Sequence, residues 1–327
     1  MNEEPYGGLK GHLPPGMCEK GFREAVDRSG YPLQTVVAGE LADREFRIEE
    51  EWAWDDPEGD TQRSLDILAE GGNGYWHHSE EGRVQVVHSL LIECKQSRNP
   101  YLGFAAVSPP MIERHPHVLG LRPEIHVRPE AVRTAATAFP LLHVLGLRQH
   151  PYLTEPLVVS SLSRAHPKNG KRVELSGAEP FNSIVRPLTK AATMFKAHWR
   201  SRARFPGKEI VARLVFPIAV VDAPLLAVRG RRGRSDITPI DWMRIFARHP
   251  ASLEGTNRRG LGFDVVDLVA ASYFDAFLEQ HLMPFASEFA LSLSRIQDCV
   301  LSGQAVLPGY NPGESLPWNW LDELRAL

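Results

Sequence analysis

The chain of 327 residues has no apolar run of 18 residues, the length at which a helix becomes a candidate to cross a bilayer. Its most apolar stretch, residues 214–221, is soon followed by Asp222, so we expect no membrane span. The N-terminus has neither basic residues nor an apolar segment, so we also expect no signal peptide. The three cysteines, at positions 18, 94 and 299, are far apart, which disfavours a disulfide framework and favours a cytoplasmic location.

The motifs of several common catalytic sites are also missing. There is no G-x-x-x-x-G-K-[ST] phosphate loop and no G-x-S-x-G elbow, which disfavours a P-loop nucleotidase and a serine hydrolase. The thirteen histidines include no H-x-x-x-H pair, and the cysteines form no C-x-x-C pair. Because neighbours such as His77-His78 and His115-Pro-His117 are too close for simple tetrahedral ligation, we expect no structural zinc site. We also expect no organic cofactor site.

The charge is unevenly distributed along the chain, although its net value is only −3. Residues 1–95 contain 20 Asp or Glu against 9 Lys or Arg, whereas residues 161–260 contain 20 Lys or Arg against 7 Asp or Glu. This asymmetry favours a surface that faces a polyanion such as nucleic acid. The alternative is that these charges are scattered over a solvated surface.

With 43% apolar residues and no low-complexity tract, the chain is expected to fold into a single α/β domain spanning residues 14–327. Residues 1–13 are polar and Gly-rich and indicate a flexible tail. We expect the core of the domain at about 15–100 and 181–300. The Pro- and His-rich stretch at about 101–180 indicates an insertion into that core.

The hydrophobic pattern predicts the main elements within this domain. Strands are predicted at 33–37, 46–54, 63–69, 84–96, 210–221, 225–228 and 242–248. Helices are predicted around Phe22–Val26, at 181–200 and over 264–299, where Pro284 divides the last one. The aromatic stripe of that last segment indicates a core-packing face rather than a binding groove.

Three charged residues stand out because apolar strands surround them. Asp66 lies between Leu65 and Ile67, and Glu93 and Lys95 lie at the end of the most apolar strand of the N-terminal half. Residues two apart in a strand share a face, so Glu93 and Lys95 emerge together. Such charges are costly to desolvate and persist when they are paired or used. An ordinary salt bridge at a strand end is the alternative.

Two carboxylates on adjacent strands would form an oxygen-rich pocket suited to a hard divalent cation such as Mg²⁺. The lysine at the pocket's edge could hold or help to deprotonate an attacking water. The metal would neutralise a scissile phosphate and stabilise the leaving oxygen. Asp66, Glu93 and Lys95 would therefore suffice for phosphodiester hydrolysis.

The order helix, glycine, strand, strand with Asp66, strand with Glu93-x-Lys95 and helix resembles the core of the PD-(D/E)XK nucleases, the restriction-endonuclease-like superfamily. The resemblance covers about 15–100. It implies a mixed central sheet flanked by helices, here with an elaborated middle insertion and C-terminal helices. It also implies that Asp66 and Glu93 bind Mg²⁺, that Mn²⁺ can substitute, and that Lys95 is the catalytic lysine. Many members add an acidic residue from the first helix, and Glu19 fits that catalytic position.

The match to the family pattern is incomplete. Leu65 stands where the motif has proline, and the interval from Asp66 to Glu93 is long, which implies an extended hairpin. A capping or surface role is the alternative for Glu19, and Glu40 is a weaker candidate for the same catalytic position.

Nucleic-acid contacts are predicted from polar and basic residues beyond this core. They are Gln96, which follows the lysine, Lys190, Lys196 and Arg200 of the 181–200 helix, and Arg231, Arg232 and Arg234 of a Gly-interleaved basic loop. A plain solvated surface is the alternative for the helix and for the loop.

The sequence therefore predicts a metal-dependent nuclease, most simply a Mg²⁺-dependent DNA endonuclease. The resemblance further implies a role in bacterial or archaeal DNA processing or anti-phage defence, with DNA and a protein of such a system as partners. Two alternatives stay open: a catalytically inert nucleic-acid-binding or assembly module with the same fold, and a junction-resolving or repair nuclease.

Overall fold

The computed structural model describes residues 9, 12–56, 61–71, 75–79, 82–107, 115–130, 136–168, 172–202, 209–232, 234–251, 260–310 and 324–326. The predicted tail, residues 1–13, lies almost wholly outside the described residues. Among the described residues, no helix combines the length and apolar character needed to cross a membrane.

The described residues form the following strands and helices. The strands are β1 (Phe46–Asp56), β2 (Thr61–Gly71), β3 (Tyr75–Ser79), β4 (Gly82–Gln96), β5 (Tyr101–Ala105), β6 (His117–Leu119), β7 (Glu124–Pro129), β8 (Thr137–Pro140), β9 (Leu157–Lys168), β10 (Arg172–Leu175), β11 (Glu209–Asp222), β12 (Leu225–Arg231), β13 (Arg234–Pro239), β14 (Trp242–Ala251), β15 (Gly260–Ala270), β16 (Gln304–Leu307) and β17 (Arg325–Ala326). The helices are α1 (Glu19–Arg28), α2 (Tyr31–Ala42), α3 (Leu141–Val144), α4 (Pro151–Thr154), α5 (Arg186–Arg202), α6 (Phe274–Phe277), α7 (Met283–Arg295) and α8 (Gln297–Ser302), with π-helical segments at Phe181–Val185 and Leu278–Leu282.

A large mixed sheet is the centre of the molecule. Its strand order is β1-β2-β4-β11-β15-β14-β9-β5-β12-β13, and β3, β6 and β10 pair with single strands of this series. A second, four-stranded sheet has the order β17-β16-β7-β8. The predicted α/β class is confirmed, and so is the mixed central sheet flanked by helices.

The parallel pair β4/β11 continues into a second parallel pair. After short connections, β4 leads into β5 and β11 leads into β12, and β5 and β12 again pair in parallel. Ser97 N–H donates to Asp222 O at 3.0 Å, and Tyr101 N–H donates to Pro224 O at 2.9 Å, which joins the two connections to each other. The ends of β4 and β11 therefore lie side by side at a corner of the sheet.

The main sheet is buried on both faces. Alternate residues of β11 point to opposite sides, so Phe216 and Ile218 pack with α2 and α7, whereas Val215 and Ala219 pack with α5. Parallel strands covered on both faces have nearly continuous apolar sequences. This is why residues 210–221 could be assigned to a strand from the sequence.

The predicted strand at 33–37 is wrong, because these residues belong to α2. Leu33, Val37 and Leu41 are spaced four residues apart and are all buried against the sheet. Pro32 lies in the first turn of the helix, where its missing N–H costs no hydrogen bond. The short apolar run could not be assigned by periodicity alone.

The predicted helix over 264–299 is wrong in its first part. Residues up to Ala270 belong to β15. This strand lies between β11 and β14, and its side chains from Val265 to Ala270 are buried on both faces of the sheet. Its β-branched residues Val265, Val266 and Val269 favour a strand. The division at Pro284 is confirmed, since α7 begins at Met283 after the π-helical segment and holds the proline in its first turn.

A buried ionic cluster ties the middle of the chain to this sheet. Asp267 accepts hydrogen bonds from Arg244 Nε at 2.7 Å, from Arg244 Nη2 at 3.1 Å, from Tyr152 OH at 2.7 Å and from Trp242 Nε1 at 3.1 Å. Burial alone would raise the pKa of Asp267, but the Arg244 guanidinium and His115 together outweigh burial and hold that pKa well below its usual range. Tyr152 thereby anchors α4 and its surroundings to β14 and β15.

The close approach of β2 to β4 gives a test of this packing. Gly71→Ala is expected to lower the free energy of unfolding by about 1–3 kcal/mol, because a Cβ there would lie 2.1 Å from Nε2 of buried His88. Urea denaturation measures the change.

Gly39→Ala is the matched control. Gly39 lies within α2 with nothing near its Cβ position, so alanine is expected to raise the free energy of unfolding by about 0.5–1 kcal/mol. A Gly71→Ala variant as stable as Gly39→Ala would contradict the described packing.

Candidate active site

The candidate site begins where β2 and β4 separate. Their antiparallel pairing runs to Ile67 opposite Ile92, and the same register places Asp66 opposite Glu93. Beyond that point the Asp66 carboxylate replaces the backbone as partner of β4: Cys94 N–H donates to Asp66 Oδ2 at 2.6 Å. The two predicted carboxylates therefore meet on adjacent strands.

Lys95 joins this pair from the same strand as Glu93. Its ammonium donates a hydrogen bond to Glu93 Oε1. The Glu93 side chain is 9% exposed and that of Lys95 is 33% exposed. The carboxylate is thus almost enclosed, and the lysine forms the solvent-facing side of the site.

Burial and charge shift the pKa values of all three groups. Burial, together with the charges of Asp66 and Glu51, raises the pKa of Glu93 to about 7 against the opposing effect of Lys95. Burial also raises the pKa of Asp66, although the Cys94 N–H and Lys95 partly compensate. Burial would lower the pKa of Lys95, but Glu93 and Asp66 outweigh it and the pKa is raised. Lys95 is therefore a cation at neutral pH.

Glu51 is a member of the site that sequence reasoning missed. The pairing of β1 with β2 runs through Glu50 opposite Ile67 and Trp52 opposite Leu65, which places Glu51 opposite Asp66. Its φ of 50° is left-handed, a conformation rare outside glycine and asparagine. The only sequence signal is a run of three glutamates that interrupts the alternation of a half-buried strand.

The apolar packing changes sides at this left-handed residue. Residues two apart in a strand normally share a face, yet Ile67 packs on the α2 side and Leu65 on the α5 side. Ile48 and Trp52 of β1 separate in the same way. The sheet is thus locally irregular at the level of Asp66, where the carboxylates gather.

Gln34 is the second residue that sequence reasoning missed. It is 5% exposed on α2, and its Nε2 donates to the backbone oxygen of Asp66 at 3.0 Å. The helix that reaches the candidate site is therefore α2. The mistaken assignment of 33–37 to a strand hid this contact.

Glu19, the predicted helix acid, lies in the first turn of α1. Its carboxylate accepts hydrogen bonds from Arg23 at 2.8 and 3.0 Å, and the pair is solvent-exposed. Within the described part of the chain, no contact joins Glu19 to Asp66, Glu93 or Lys95. Its catalytic role stays a prediction without structural support.

The predicted basic residues of the 181–200 helix are partly paired. Helix α5 packs on the face of the sheet that carries Glu93, and Lys190 Nζ lies 3.2 Å from Asp56 Oδ2 at the end of β1. Lys196 Nζ lies 3.4 Å from His117 Nε2. The side chain of Arg200 lies outside the described residues.

The predicted basic loop is the tip of the β12/β13 hairpin. Arg231 pairs across the hairpin with Arg234, and Arg232 lies in the turn and is exposed. The Arg234 side chain is 83% exposed and lies 3.6 Å from Asp236, while the side chain of Arg231 is not among those described. Because β12 spans six residue steps from Leu225, the tip lies about 20 Å along the strand from the corner. The arginines are therefore not immediately beside Glu93.

A groove of about 980 Å³ opens beyond the ends of β4, β11 and β15. Its polar lining includes Gln96, Arg98, Asp222, Ser272 and, from α1, Asp27. The groove adjoins the candidate site through Gln96, which follows Lys95 directly and points to the other side of the strand.

The donor set permits one kind of metal site and not another. Across the described ranges, no group of three or more His, Cys, Asp or Glu side chains is arranged to hold a metal ion. Mg²⁺, however, is usually bound through one or two carboxylates together with water and substrate phosphates. Among the described contacts, Asp66 and Glu93 each use one oxygen for a protein partner. These two carboxylates are the ones that could contribute to a Mg²⁺ site of this kind.

No family model, curated protein or solved structure matches the chain.

The electrostatic coupling within the site can be measured without any substrate. Lys95→Met is expected to raise the pKa of Glu93 above about 7, because the ammonium is the group that opposes burial there. A ¹³C NMR titration of the glutamate side-chain carboxyl carbons, assigned with Glu93→Gln, measures it.

Lys168→Met is the control. Lys168 is exposed on β9 and pairs with Glu174, so its removal is expected to leave the titration of Glu93 unchanged. An unchanged Glu93 midpoint in Lys95→Met would show that the two groups do not interact.

Proposed function

We propose that this protein is a metal-dependent nuclease that hydrolyses phosphodiester bonds, most simply a DNA endonuclease. The observation that carries the proposal is the partly buried group of Asp66, Glu93 and Lys95 at the point where β2 and β4 separate. Desolvated charges with shifted pKa values are typical of functional sites. An ordinary surface salt bridge would not bring a second carboxylate into the same enclosed corner.

The arrangement of elements around the site agrees with the resemblance to PD-(D/E)XK nucleases. Helix α2 is followed by the antiparallel strands β1, β2 and β4, with Asp66 on the second and Glu93 and Lys95 on the third. Helix α5 and the parallel strand β11 then complete a mixed sheet with helices on both faces. This order supports the proposal.

In the proposed reaction Asp66 and Glu93 hold Mg²⁺, and Mn²⁺ is expected to substitute for it. When bound, the ion supplies a Lewis acid that neutralises charge on the scissile phosphate. The hydrogen bond from Cys94 N–H fixes the orientation of the Asp66 carboxylate, and Gln34 fixes the backbone of the same residue.

In this proposal Lys95 acts as a hydrogen-bond donor and not as a general base. Its pKa is raised, so the side chain is an ammonium at neutral pH and cannot accept a proton from water. It can donate hydrogen bonds to the attacking water or to a phosphate oxygen, where negative charge develops during hydrolysis. Its partial exposure leaves it accessible to a substrate.

The proposal predicts that cleavage of plasmid DNA or of a labelled oligonucleotide needs Mg²⁺ and stops with EDTA. Lys95→Ala, Asp66→Asn and Glu93→Gln are each expected to lower the single-turnover rate constant of cleavage by about 100-fold or more, because each removes a charge that acts on the reacting phosphate. Gel assays under single-turnover conditions measure the rates.

Lys168→Ala serves as the matched lysine control and is expected to cleave at the wild-type rate. Wild-type protein that binds DNA but does not cleave it with any divalent metal would favour the inert binding module. Cleavage that survives EDTA would exclude a metal-dependent mechanism.

DNA affinity gives an independent prediction for the β12/β13 hairpin. Replacing Arg231, Arg232 and Arg234 together by Gln is expected to weaken DNA binding and to flatten the slope of log affinity against log salt by about one unit for each phosphate that the arginines neutralise. Fluorescence anisotropy at several salt concentrations measures the slope. The Lys168→Gln control should keep the wild-type slope. A triple variant with the wild-type slope would show that the hairpin is a solvated surface that does not bind DNA.

A further inference from the structure

The groove at the sheet corner has room for a ligand and lies against the candidate site. Its volume of about 980 Å³ is at the upper end of the range for small-molecule sites. Ligands of α/β proteins commonly bind beyond the carboxyl ends of parallel strands. Here β4, β11 and β15 run parallel to one another and end at the groove.

The charges of the groove are not those of a phosphate channel. Asp27 and Asp222 contribute two carboxylates, and Arg98 contributes one cation. Nucleic-acid backbones are bound by excess positive charge, so this lining disfavours a row of phosphates. Carboxylate and amide oxygens instead accept hydrogen bonds from N–H groups, such as those on the edges of nucleobases.

Gln96 shows where such a donor would bind. Its Nε2 donates to Asp222 Oδ2 at 3.3 Å, which turns the amide so that Oε1 faces away from the aspartate. Oε1 is buried and accepts no hydrogen bond from any group in the described part of the chain. A buried acceptor without a donor is costly, and a ligand N–H that met Oε1 after a small rotation of the Gln96 side chain would remove that cost.

The groove and the candidate site lie on opposite sides of one strand end. Consecutive strand residues point to opposite faces, so Lys95 faces the carboxylates and Gln96 faces the groove. A nucleotide whose phosphate lies at Lys95 can reach Gln96 with its base only by passing around this strand end. A base that is stacked and paired in a duplex would first have to be extruded, at a cost in free energy, whereas an unpaired base would not.

We propose that the groove binds an unpaired nucleobase bearing an exocyclic amino group, next to the phosphodiester at Lys95, and that the substrate is therefore single-stranded DNA. This inference rests on the proposed nuclease function. The amino group would donate to Gln96 Oε1 and to the Asp222 carboxylate. Thymine offers a single N–H flanked by two carbonyl oxygens, which these acceptors repel.

The test measures binding in EDTA, so that no cleavage is needed. Anisotropy of labelled oligo(dC) and oligo(dT) of equal length is compared at one salt concentration, because both carry the same phosphates. Wild-type protein is expected to bind oligo(dC) about five- to tenfold more tightly than oligo(dT), and more tightly than a duplex of the same length. Equal affinity for the two oligonucleotides, or tighter binding of the duplex, would overturn the proposal.

Two variants locate the preference. Gln96→Leu and Asp222→Asn are each expected to reduce the preference for oligo(dC) over oligo(dT) to about twofold or less, and Lys168→Ala is expected to retain it. Thermal unfolding establishes whether each variant is folded. If Gln96→Leu does not fold, Asp222→Asn provides the result. A preference that persists in both folded variants would contradict the assignment of this groove.

The two proposals fail differently. Protein that prefers oligo(dC) but cleaves nothing with Mg²⁺ would refute the nuclease function and keep the base site. Protein that cleaves oligo(dC), oligo(dT) and duplex DNA at the same rate would keep the nuclease and refute the base site.

Discussion

Fourteen consecutive residue pairs join β4 and β11 in parallel, from Glu209 opposite Arg83 to Asp222 opposite Gln96. This pairing fixes the middle of the main sheet, and helices cover it on both faces. It carries Glu93 and Lys95 to the same corner as Asp222. The candidate site and the groove are therefore two sides of one structural feature, the shared end of this strand pair.

The same corner concentrates charge where apolar strands leave little water. Glu93 is nearly enclosed, and its pKa is raised to about 7 because burial and two neighbouring carboxylates outweigh Lys95. Such a group destabilises the fold when it is ionised, since the folded state favours its protonated form from about pH 4.5 to 7. The buried Glu93 and the left-handed backbone of Glu51 both lower the stability of the sheet at this corner. Costs of this kind are usually found at functional sites.

The sequence indicated which three charged residues lie together but not what surrounds them, and their role as an active site stays a prediction. That Asp66, Glu93 and Lys95 would lie together could be predicted because a charge inside an apolar strand is conspicuous by residue type alone. Gln34 and Glu51 could not be predicted, because their proximity to Asp66 depends on how α2 packs and on the register of β1. Neither property has a signal within a few residues of sequence.

Local patterns determined most of the strands, the amphipathic helix α5 and the helix boundary at Pro284, which lies in the first turn of α7. These features depend on spacing and backbone chemistry within one segment. Tertiary structure decided whether short apolar runs became helix or strand. Residues 33–37 became helical because one face of α2 packs on the sheet, and residues 260–270 became a strand because β11 and β14 pair with them on both sides. It also decided the order of the strands, and with it the corner that holds the carboxylates, because contacts distant in the sequence leave no trace in local periodicity.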